Sequence, residues 1–184
     1  MRKLSVFNQV SLDGYFVDAR DDMSWAHRDD PQWTRFTQQN AGGEAELIFG
    51  RVTYEQMASF WPTAAARAMN APVAARMNAM KKVVFSKTLD KASWANTKLI
   101  KSDLLSAVRR LKRAKGPDLL IMGSGSLVAQ LTEAGLIDSY QVVVNPLVLG
   151  GGRTMFEGVS RRALTLTKSK AFKNGNVVLW YERR

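Results

Sequence analysis

The segment 119–131 constrains the fold of this chain most strongly, because it combines a strand signal, a turn signal and a helix signal. Four consecutive apolar residues at 119–122 predict a buried strand. Gly123-Ser124-Gly125 ends that apolar run. Apolar residues then recur at helical spacing as far as Gly135, where a helix is expected to stop. The segment therefore predicts a strand, a glycine turn and a helix in succession.

A junction of this kind is a common site for an anion. Unpaired N–H groups and the positive end of the helix both point toward a ligand in the turn. We therefore expect a phosphate to be bound by five consecutive residues, namely Gly123, Ser124, Gly125, Ser126 and Leu127. The two glycines lack side chains, which would let the ligand approach the backbone closely. Because the third glycine of the dinucleotide-binding fingerprint is absent, a tight turn without a ligand is the alternative.

A second junction of the same type follows the short apolar strand predicted at 45–49. Gly50 ends this strand, and a helix is expected to follow it. Arg51 and Thr53 would add side-chain donors to the phosphate site, and Thr53 is also placed to cap its own helix. The alternative is that Thr53 only caps the helix while Arg51 lies in solvent.

A third polar strand end is expected after the apolar strand at 82–85, where Ser86 and Lys87 follow. In an open parallel sheet, ligands bind at the carboxyl ends of the strands. The three junctions would then meet at one edge, where the two glycine turns could hold a pyrophosphate. Ser86 and Lys87 could bind an additional phosphate. NADPH carries both groups, and it is the cofactor that this pattern predicts.

Composition narrows the possible functions. The chain has 184 residues, which predicts one domain spanning 1–184, and its net charge of +11 favours anionic partners. It has no cysteine and one histidine, His27, so neither disulfides nor a metal site are expected. No apolar run is long enough to span a membrane, and the absence of cysteine fits a cytoplasmic protein. Nucleic acid is disfavoured as a partner, because no helix-turn-helix or basic–aromatic pattern is found.

The order of the other elements indicates an α/β fold with a mainly parallel sheet and an antiparallel edge. Further strands are predicted at 4–10, 98–100, 137–144, 163–170 and 176–182. The last two are joined by Asn174-Gly175, which is a hairpin signal. Helices are predicted at 31–40 and after Asp103. A long loop is predicted at 16–30, and a loop with a short helix at 64–79.

Five short motifs occur in an order that resembles the dihydrofolate reductase-like superfamily. They are Ser11-Leu12-Asp13-Gly14, Gly50-Arg51-x-Thr53-Tyr54-Glu55, Phe85-Ser86-Lys87-Thr88-Leu89, Met122-Gly123-Ser124-Gly125 and Pro146-x-x-x-Gly150-Gly151-Gly152. The closer resemblance is to stand-alone relatives of the reductase (C-terminal) domain of the bifunctional riboflavin-biosynthesis deaminase-reductase. It extends from Leu4 to Trp180, and it depends on the order and spacing of the motifs together.

The resemblance implies a dihydrofolate reductase-like fold, a mixed sheet of about eight strands flanked by helices. It implies NADPH with its pyrophosphate between the helix starts at 51–53 and 123–127, and its 2′-phosphate beside Ser86 and Lys87. Association into a homodimer is also expected from the resemblance. The substrate pocket would be lined by Asn8, Trp25, Asp29 and Gln32, together with Asp13.

The chain departs from the superfamily at two positions that matter for the substrate. Dihydrofolate reductases have an acidic residue on the first helix that grips the pterin and assists protonation. The counterpart here is Gln32, and Asp29 and Asp30 lie slightly earlier in the chain. Met122 stands where the riboflavin reductase domain usually has a glutamate. Neither substrate therefore transfers directly from the resemblance.

The leading hypothesis is an oxidoreductase that transfers hydride from NADPH to a C=N or C=O bond of a small heterocyclic or sugar-derived substrate, pterin-like or ribosylaminopyrimidine-like. Asp13 is the first candidate for a catalytic proton donor, with Asp29 or Asp30 next. Asp13-Gly14 is also a turn signal, so the carboxylate could instead bond to nearby backbone. Two other classes stay open: an NADPH-binding sensor without turnover, and a basic nucleic-acid-binding module.

Overall fold

The computed structural model describes residues 1–26 and 30–184. Within them the strands are β1 Leu4–Val10, β2 Tyr15–Val17, β3 Ala45–Gly50, β4 Lys82–Phe85, β5 Thr97–Ile100, β6 Asp118–Met122, β7 Ser139–Val144, β8 Arg153–Thr154, β9 Leu164–Ala171 and β10 Val177–Arg183. The α-helices are α1 Pro31–Ala41, α2 Arg51–Phe60, α3 Ala64–Ala79, α4 Leu104–Arg113 and α5 Gly125–Glu133.

Eight of these strands form one sheet in the order β5-β4-β3-β6-β1-β7-β10-β9. The six strands from β5 to β7 run parallel to their neighbours, and β10 runs antiparallel to both β7 and β9. This confirms the expected mixed sheet, with its C-terminal hairpin as the antiparallel edge. β2 and β8 pair as a separate two-stranded ribbon.

The alternation of side chains along the strands assigns the helices to two layers. In β3, Ile48 faces a core that contains residues of α4 and α5, whereas Leu47 and Phe49 face a core that contains residues of α2 and α3. Trp33 of α1 packs on the same side as the latter pair, over the antiparallel strands. We call the two sides the α4–α5 face and the α1–α3 face.

Two segments differ from their predictions. Residues 64–79, expected to be a loop with a short helix, form α3, which bends at Asn70 (φ −160°, ψ 88°). The side chain of Asn70 accepts a hydrogen bond from the N–H of Val73 and so caps the second half of the helix. Pro72 then lies in the first turn of that half, where an N–H group would have no acceptor within the helix, so the missing N–H of proline does no harm. The described part of the predicted loop at 16–30 contains the last two residues of β2 and a 3-10 turn, Ser24–Ala26.

Lys82 is a charged residue at the start of β4 that is almost completely buried, with 1% of its surface exposed. Its ammonium donates to the carbonyl oxygens of Met77, Asn78 and Met80, at 2.9, 3.2 and 2.6 Å, and lies 4.4 Å from the ring centre of Trp94. The C-terminal carbonyls of a helix lack intrahelical partners. Lys82 therefore caps α3 and fixes it to the sheet.

Burial lowers the pKa of Lys82 from 10.5 to about 8. Between those two values the unfolded chain binds more protons than the folded one, so stability rises with pH across this window. Lys82→Met removes the titration. From the pH of the folded pKa to the pH of the unfolded pKa, the free energy of unfolding of the unchanged protein should rise. We expect this rise to exceed that of the variant by roughly 1–3 kcal/mol. Urea titrations at both ends of the window measure this difference, with the exposed Lys81→Met as the control. Parallel pH profiles for the unchanged protein and Lys82→Met would contradict the prediction.

Candidate functional site

The three predicted junctions lie on adjacent strands. β4, β3 and β6 are neighbours, and Gly50 pairs with Phe85, the residue before Ser86. Ile48 pairs with Ile121, which brings Gly50 and Gly123 to the same edge. The carboxyl ends of β4, β3, β6 and β1 form the edge that we call the rim. The expectation that the junctions converge is therefore confirmed.

Two hydroxyl groups bind the starts of α2 and α5 to each other. The N–H of Gly50 donates to Ser124 Oγ at 2.9 Å, and the N–H of Ser124 donates to Thr53 Oγ1 at 3.0 Å. We call this pair of hydrogen bonds the hydroxyl interlock. The prediction that Thr53 caps its own helix is wrong, because α2 has no side-chain cap and the threonine hydroxyl instead serves the neighbouring junction.

Asn8 of β1 holds the Gly123 peptide from the other side. Its Oδ1 accepts from the N–H of Gly123, and its Nδ2 donates to the carbonyl oxygen of Gly123 at 3.0 Å and to the sulfur of Met155 at 2.9 Å. Asn8 is 4% exposed, so its amide is committed to these contacts. These contacts give Asn8 a role in shaping the rim, and its expected role in lining the substrate pocket stays a prediction.

The two glycines of the central turn are required by contacts within the protein. Gly123 has φ +61°, and a Cβ there would lie 2.7 Å from Cγ2 of Thr53. A Cβ on Gly125 would lie 2.6 Å from the ring of Phe16, which packs over the start of α5. Contacts within the protein therefore account for both glycines, and the approach of a ligand to their backbone stays a prediction. The N–H groups of Gly123 and Ser124 are likewise already paired.

Donors for an anion remain at the first turns of both helices. The early N–H groups of a helix lack intrahelical acceptors, and no side chain of the described residues caps those of α2 or those of Gly125 and Ser126. Ser126 is exposed, whereas Leu127 is buried and packs toward Gly50. Two positive helix ends therefore face the rim side by side.

The predicted cationic and hydroxyl groups lie at the surface of the same rim. Arg51 pairs with Glu55 at 2.8 Å, and both side chains are about half exposed. Ser86 accepts from the N–H groups of Thr88 and Leu89, at 3.2 and 2.9 Å, so its oxygen stabilises the turn after β4. Lys87 is exposed and contributes to lowering the pKa of Asp103, after the Ser106 hydrogen bonds.

Asp13 connects the turn after β1 to the glycine-rich loop that precedes β8. Its two carboxylate oxygens accept from the N–H groups of Leu149 and Gly150, at 3.1 and 2.8 Å. A hydrogen bond from Ser11 and these two N–H groups lower the pKa of Asp13 to about 2. At neutral pH the group is ionised in this structure, and its predicted role as a proton donor stays a prediction. These contacts support the structural role that the sequence left open for it.

The other residues expected to line the substrate pocket lie among residues 27–29 or close to them in the sequence. The indole N–H of Trp25 donates to the carbonyl oxygen of Asp22, and Gln32 is exposed in the first turn of α1. Asp30 caps α1 by accepting from the N–H of Trp33 at 2.7 Å. Asp29 and His27 lie outside the described residues. The predicted roles of Trp25, Asp29 and Gln32 stay predictions.

Comparison with known proteins decides the family. The model of the RibD C-terminal domain matches residues 2–178. The chain belongs to the RibD C-terminal domain family. A curated relative, protein YyaP of Bacillus subtilis (strain 168), which is described as uncharacterized, is 25% identical over 182 residues, covering 98% of this chain and 94% of YyaP.

Solved relatives share the fold over the full chain. A candidate riboflavin biosynthesis protein from Shewanella sp. PV-4 matches with a TM-score of 0.75 and 24% identity, covering 100% of this chain and 99% of its own. A diaminohydroxyphosphoribosylaminopyrimidine deaminase/5-amino-6-(5-phosphoribosylamino)uracil reductase of Thermotoga maritima matches with a TM-score of 0.69 and 13% identity, covering 100% of this chain and 57% of its own. A pyrimidine reductase-like protein of Corynebacterium diphtheriae matches with a TM-score of 0.66 and 11% identity, covering 100% and 92%. The dihydrofolate reductase-like fold expected from the sequence is confirmed.

Two further findings concern the described residues of this RibD C-terminal domain. No three of their His, Asp or Glu side chains come together as a possible metal site. None of their helices is long and apolar enough to cross a membrane.

Phe16 and Asn8 shape the rim of this family member in ways that the sequence pattern did not predict. Phe16 lies in the predicted loop, although it is buried and covers the start of α5. Asn8 had a usable signal, because it alternates with Leu4, Val6 and Val10 and therefore faces the core. A buried amide needs hydrogen-bond partners, and the nearest strand end supplies them.

If Phe16 is what requires a glycine at 125, the effects of changing the two residues must be coupled. Gly125→Ala should destabilise the protein by roughly 1–3 kcal/mol, because the added methyl group meets the Phe16 ring. In the Phe16→Ala background the same change should cost less, since the ring is gone. Urea unfolding of the four proteins measures the coupling. Additive effects would show that something other than Phe16 excludes a side chain at position 125.

Proposed function

We propose that this protein is an NADPH-dependent reductase that transfers hydride to a C=N or C=O bond of a small heterocyclic or sugar-derived substrate. Membership of the RibD C-terminal domain family supports a reductase. The uracil reductase activity named for the Thermotoga maritima relative and the pyrimidine reductase likeness named for the Corynebacterium diphtheriae protein suggest a pyrimidine-type heterocycle.

The observation that carries the proposal is the pair of helix starts at the rim. The first turns of α2 and α5 begin on adjacent strands, lack side-chain caps and are held together by the hydroxyl interlock. A diphosphate spans a gap of this kind, with one phosphate at each helix end. Arg51 and Lys87 add positive charge at the same edge. The donors available are fewer than the sequence suggested, because the N–H groups of Gly123 and Ser124 are already used.

When bound, NADPH would supply the hydride, so the protein's contribution is to bind, orient and exclude water. The first turns of α2 and α5 would hold the diphosphate, and Lys87 would contact the 2′-phosphate. Asn8 keeps the Gly123 peptide fixed, and Phe16 covers the start of α5. Asp13 would serve as an anchor for the 149–150 loop and not as a proton donor.

A titration of the protein with NADPH, followed by nicotinamide fluorescence, tests the proposal. Binding at micromolar cofactor, with oxidation when pterins, ribosylaminopyrimidines or reactive carbonyls are supplied, is the expected result. Absence of binding would contradict it. Binding without oxidation of any of these substrates would favour the second candidate, a sensor. The contacts of Asp13 and Asp30 favour that candidate, because both carboxyl groups accept hydrogen bonds from backbone N–H groups that they hold in place.

Lys87 provides a sharper test of which nicotinamide cofactor is used. A charge-assisted contact to the 2′-phosphate would be lost in Lys87→Ala, so the Kd for NADPH should rise about tenfold while the Kd for NADH stays unchanged. Lys91→Ala, another exposed lysine after β4, is the matched control. Equal losses for both cofactors in Lys87→Ala would place the 2′-phosphate elsewhere.

Self-association is a separate proposal, supported by an apolar groove of about 230 Å³ on the α4–α5 face. Its lining includes Val142, Met155, Phe156, Leu164, Leu179 and Tyr181. Strand β10 is apolar on both faces from Val177 to Tyr181, a pattern typical of strands covered on both sides. A second copy of the chain is the occupant that we propose.

Sedimentation equilibrium tests the association. The unchanged protein should be a dimer at micromolar concentration, and Phe156→Glu, at a residue 40% exposed, should shift it toward monomer by placing a charge against the groove. Met69→Glu, at a residue 49% exposed on α3, is the control and should leave the dimer intact. A monomeric unchanged protein would dismiss the proposal.

A further inference from the structure

Ser124 has a backbone conformation that favours glycine. Its φ is +56° and its ψ is 51°, in the left-handed region. Residues other than glycine rarely adopt this backbone conformation, because their Cβ comes too close to the following carbonyl oxygen. Glycines stand on both sides of it, at 123 and 125, so a third glycine would suit the turn. A serine therefore occupies a position whose backbone conformation favours glycine, and the contacts of its side chain must explain why serine stands there.

The Ser124 hydroxyl uses both of its hydrogen-bonding capacities inside the protein. It accepts from the N–H of Gly50 at 2.9 Å and donates to the carbonyl oxygen of Met122 at 3.3 Å. The residue is 6% exposed. A hydroxyl group has one proton to donate. The side chain expected to bind phosphate therefore has no proton left for a ligand.

Thr53 is in the opposite situation. Its Oγ1 accepts from the N–H of Ser124 at 3.0 Å, and among the described residues nothing accepts its own proton. The side chain is half-buried at the rim. A hydroxyl that already accepts a hydrogen bond is a stronger donor in turn, because hydrogen bonds in a chain polarise one another. The proton of Thr53 is thus available to an anion between the helix starts.

We propose that Ser124 is a positioning residue that sets the separation of α2 and α5, so that Thr53 and the two first turns can grip one diphosphate. The inference rests on the proposed function and deepens it, because it assigns different roles to two hydroxyls that the sequence pattern treats alike. Ser124 acts through Gly50 and Thr53 and does not touch the ligand. Since every nicotinamide dinucleotide has a diphosphate, its effect is the same for NADPH and NADH.

Ser124→Gly is the decisive variant, because it removes the hydroxyl and relieves the backbone at the same time. A serine without a positioning role would give a variant with unchanged or higher thermal stability and unchanged affinity. We expect the Kd values for NADPH and NADH to rise together, about tenfold each, as the loss of one well-placed hydrogen bond predicts. A rise confined to NADPH would assign the effect to the 2′-phosphate and overturn the inference. Unchanged affinities would overturn it as well.

Thr53 and Asn96 provide the comparisons. Thr53→Ser retains the hydroxyl and should retain affinity, whereas Thr53→Val should lose it for both cofactors. Asn96 is another residue with positive φ, +61°, whose side chain bonds to backbone carbonyls. It precedes β5, at the amino end of the sheet, so Asn96→Gly should leave both Kd values unchanged.

Amide hydrogen exchange separates failure of this inference from failure of the proposed function, because it needs no ligand. In the unchanged protein the N–H groups of Gly50 and Ser124 should exchange slowly, and Ser124→Gly should accelerate exchange at Gly50. If the unchanged protein binds no NADPH, the proposed function fails and the positioning role with it. If it binds NADPH but exchange at Gly50 does not respond to Ser124→Gly, only the positioning role is refuted.

Discussion

The hydroxyl interlock between the starts of α2 and α5 is the contact on which the shape of the rim depends. The ladder between β3 and β6 fixes the spacing of the strands, but it does not fix the helices that follow them. Two hydrogen bonds of opposite direction, Gly50 to Ser124 and Ser124 to Thr53, do so. Each contributes roughly 0.5–1.5 kcal/mol. Their value lies in position, because both helix starts are then held at one separation.

Holding two helix starts together has an electrostatic consequence. Each start carries about half a positive charge, so two of them side by side repel each other modestly. An anion between them removes this repulsion and gains from both ends. The net charge of +11 acts in the same direction over a longer range, by attracting anions toward the protein. The exposed pair of Arg51 and Glu55 adds little stability, which leaves the guanidinium free to exchange its partner for a phosphate.

Features with local causes could be predicted from the sequence, and features with distant causes could not. The strand, turn and helix around Gly123 follow from apolar spacing and turn residues within a dozen positions. The convergence of three junctions follows from the rule for parallel sheets. By contrast, the local sequence allowed the Thr53 hydroxyl to cap its own helix, but the hydroxyl instead accepts from the N–H of Ser124, 71 residues away. Phe16 likewise carries no local sign that it will cover a helix start.

The acids near the rim constrain the chemistry that the proposed reductase can perform. Asp13 is held by two N–H groups with its pKa lowered to about 2, and Asp30 is used as a helix cap. Asp13 is therefore ionised at neutral pH, because a carboxylate stabilised by N–H donors keeps its charge. Water, the substrate itself and Asp29, whose role stays a prediction, are then the remaining candidates for the source of the proton.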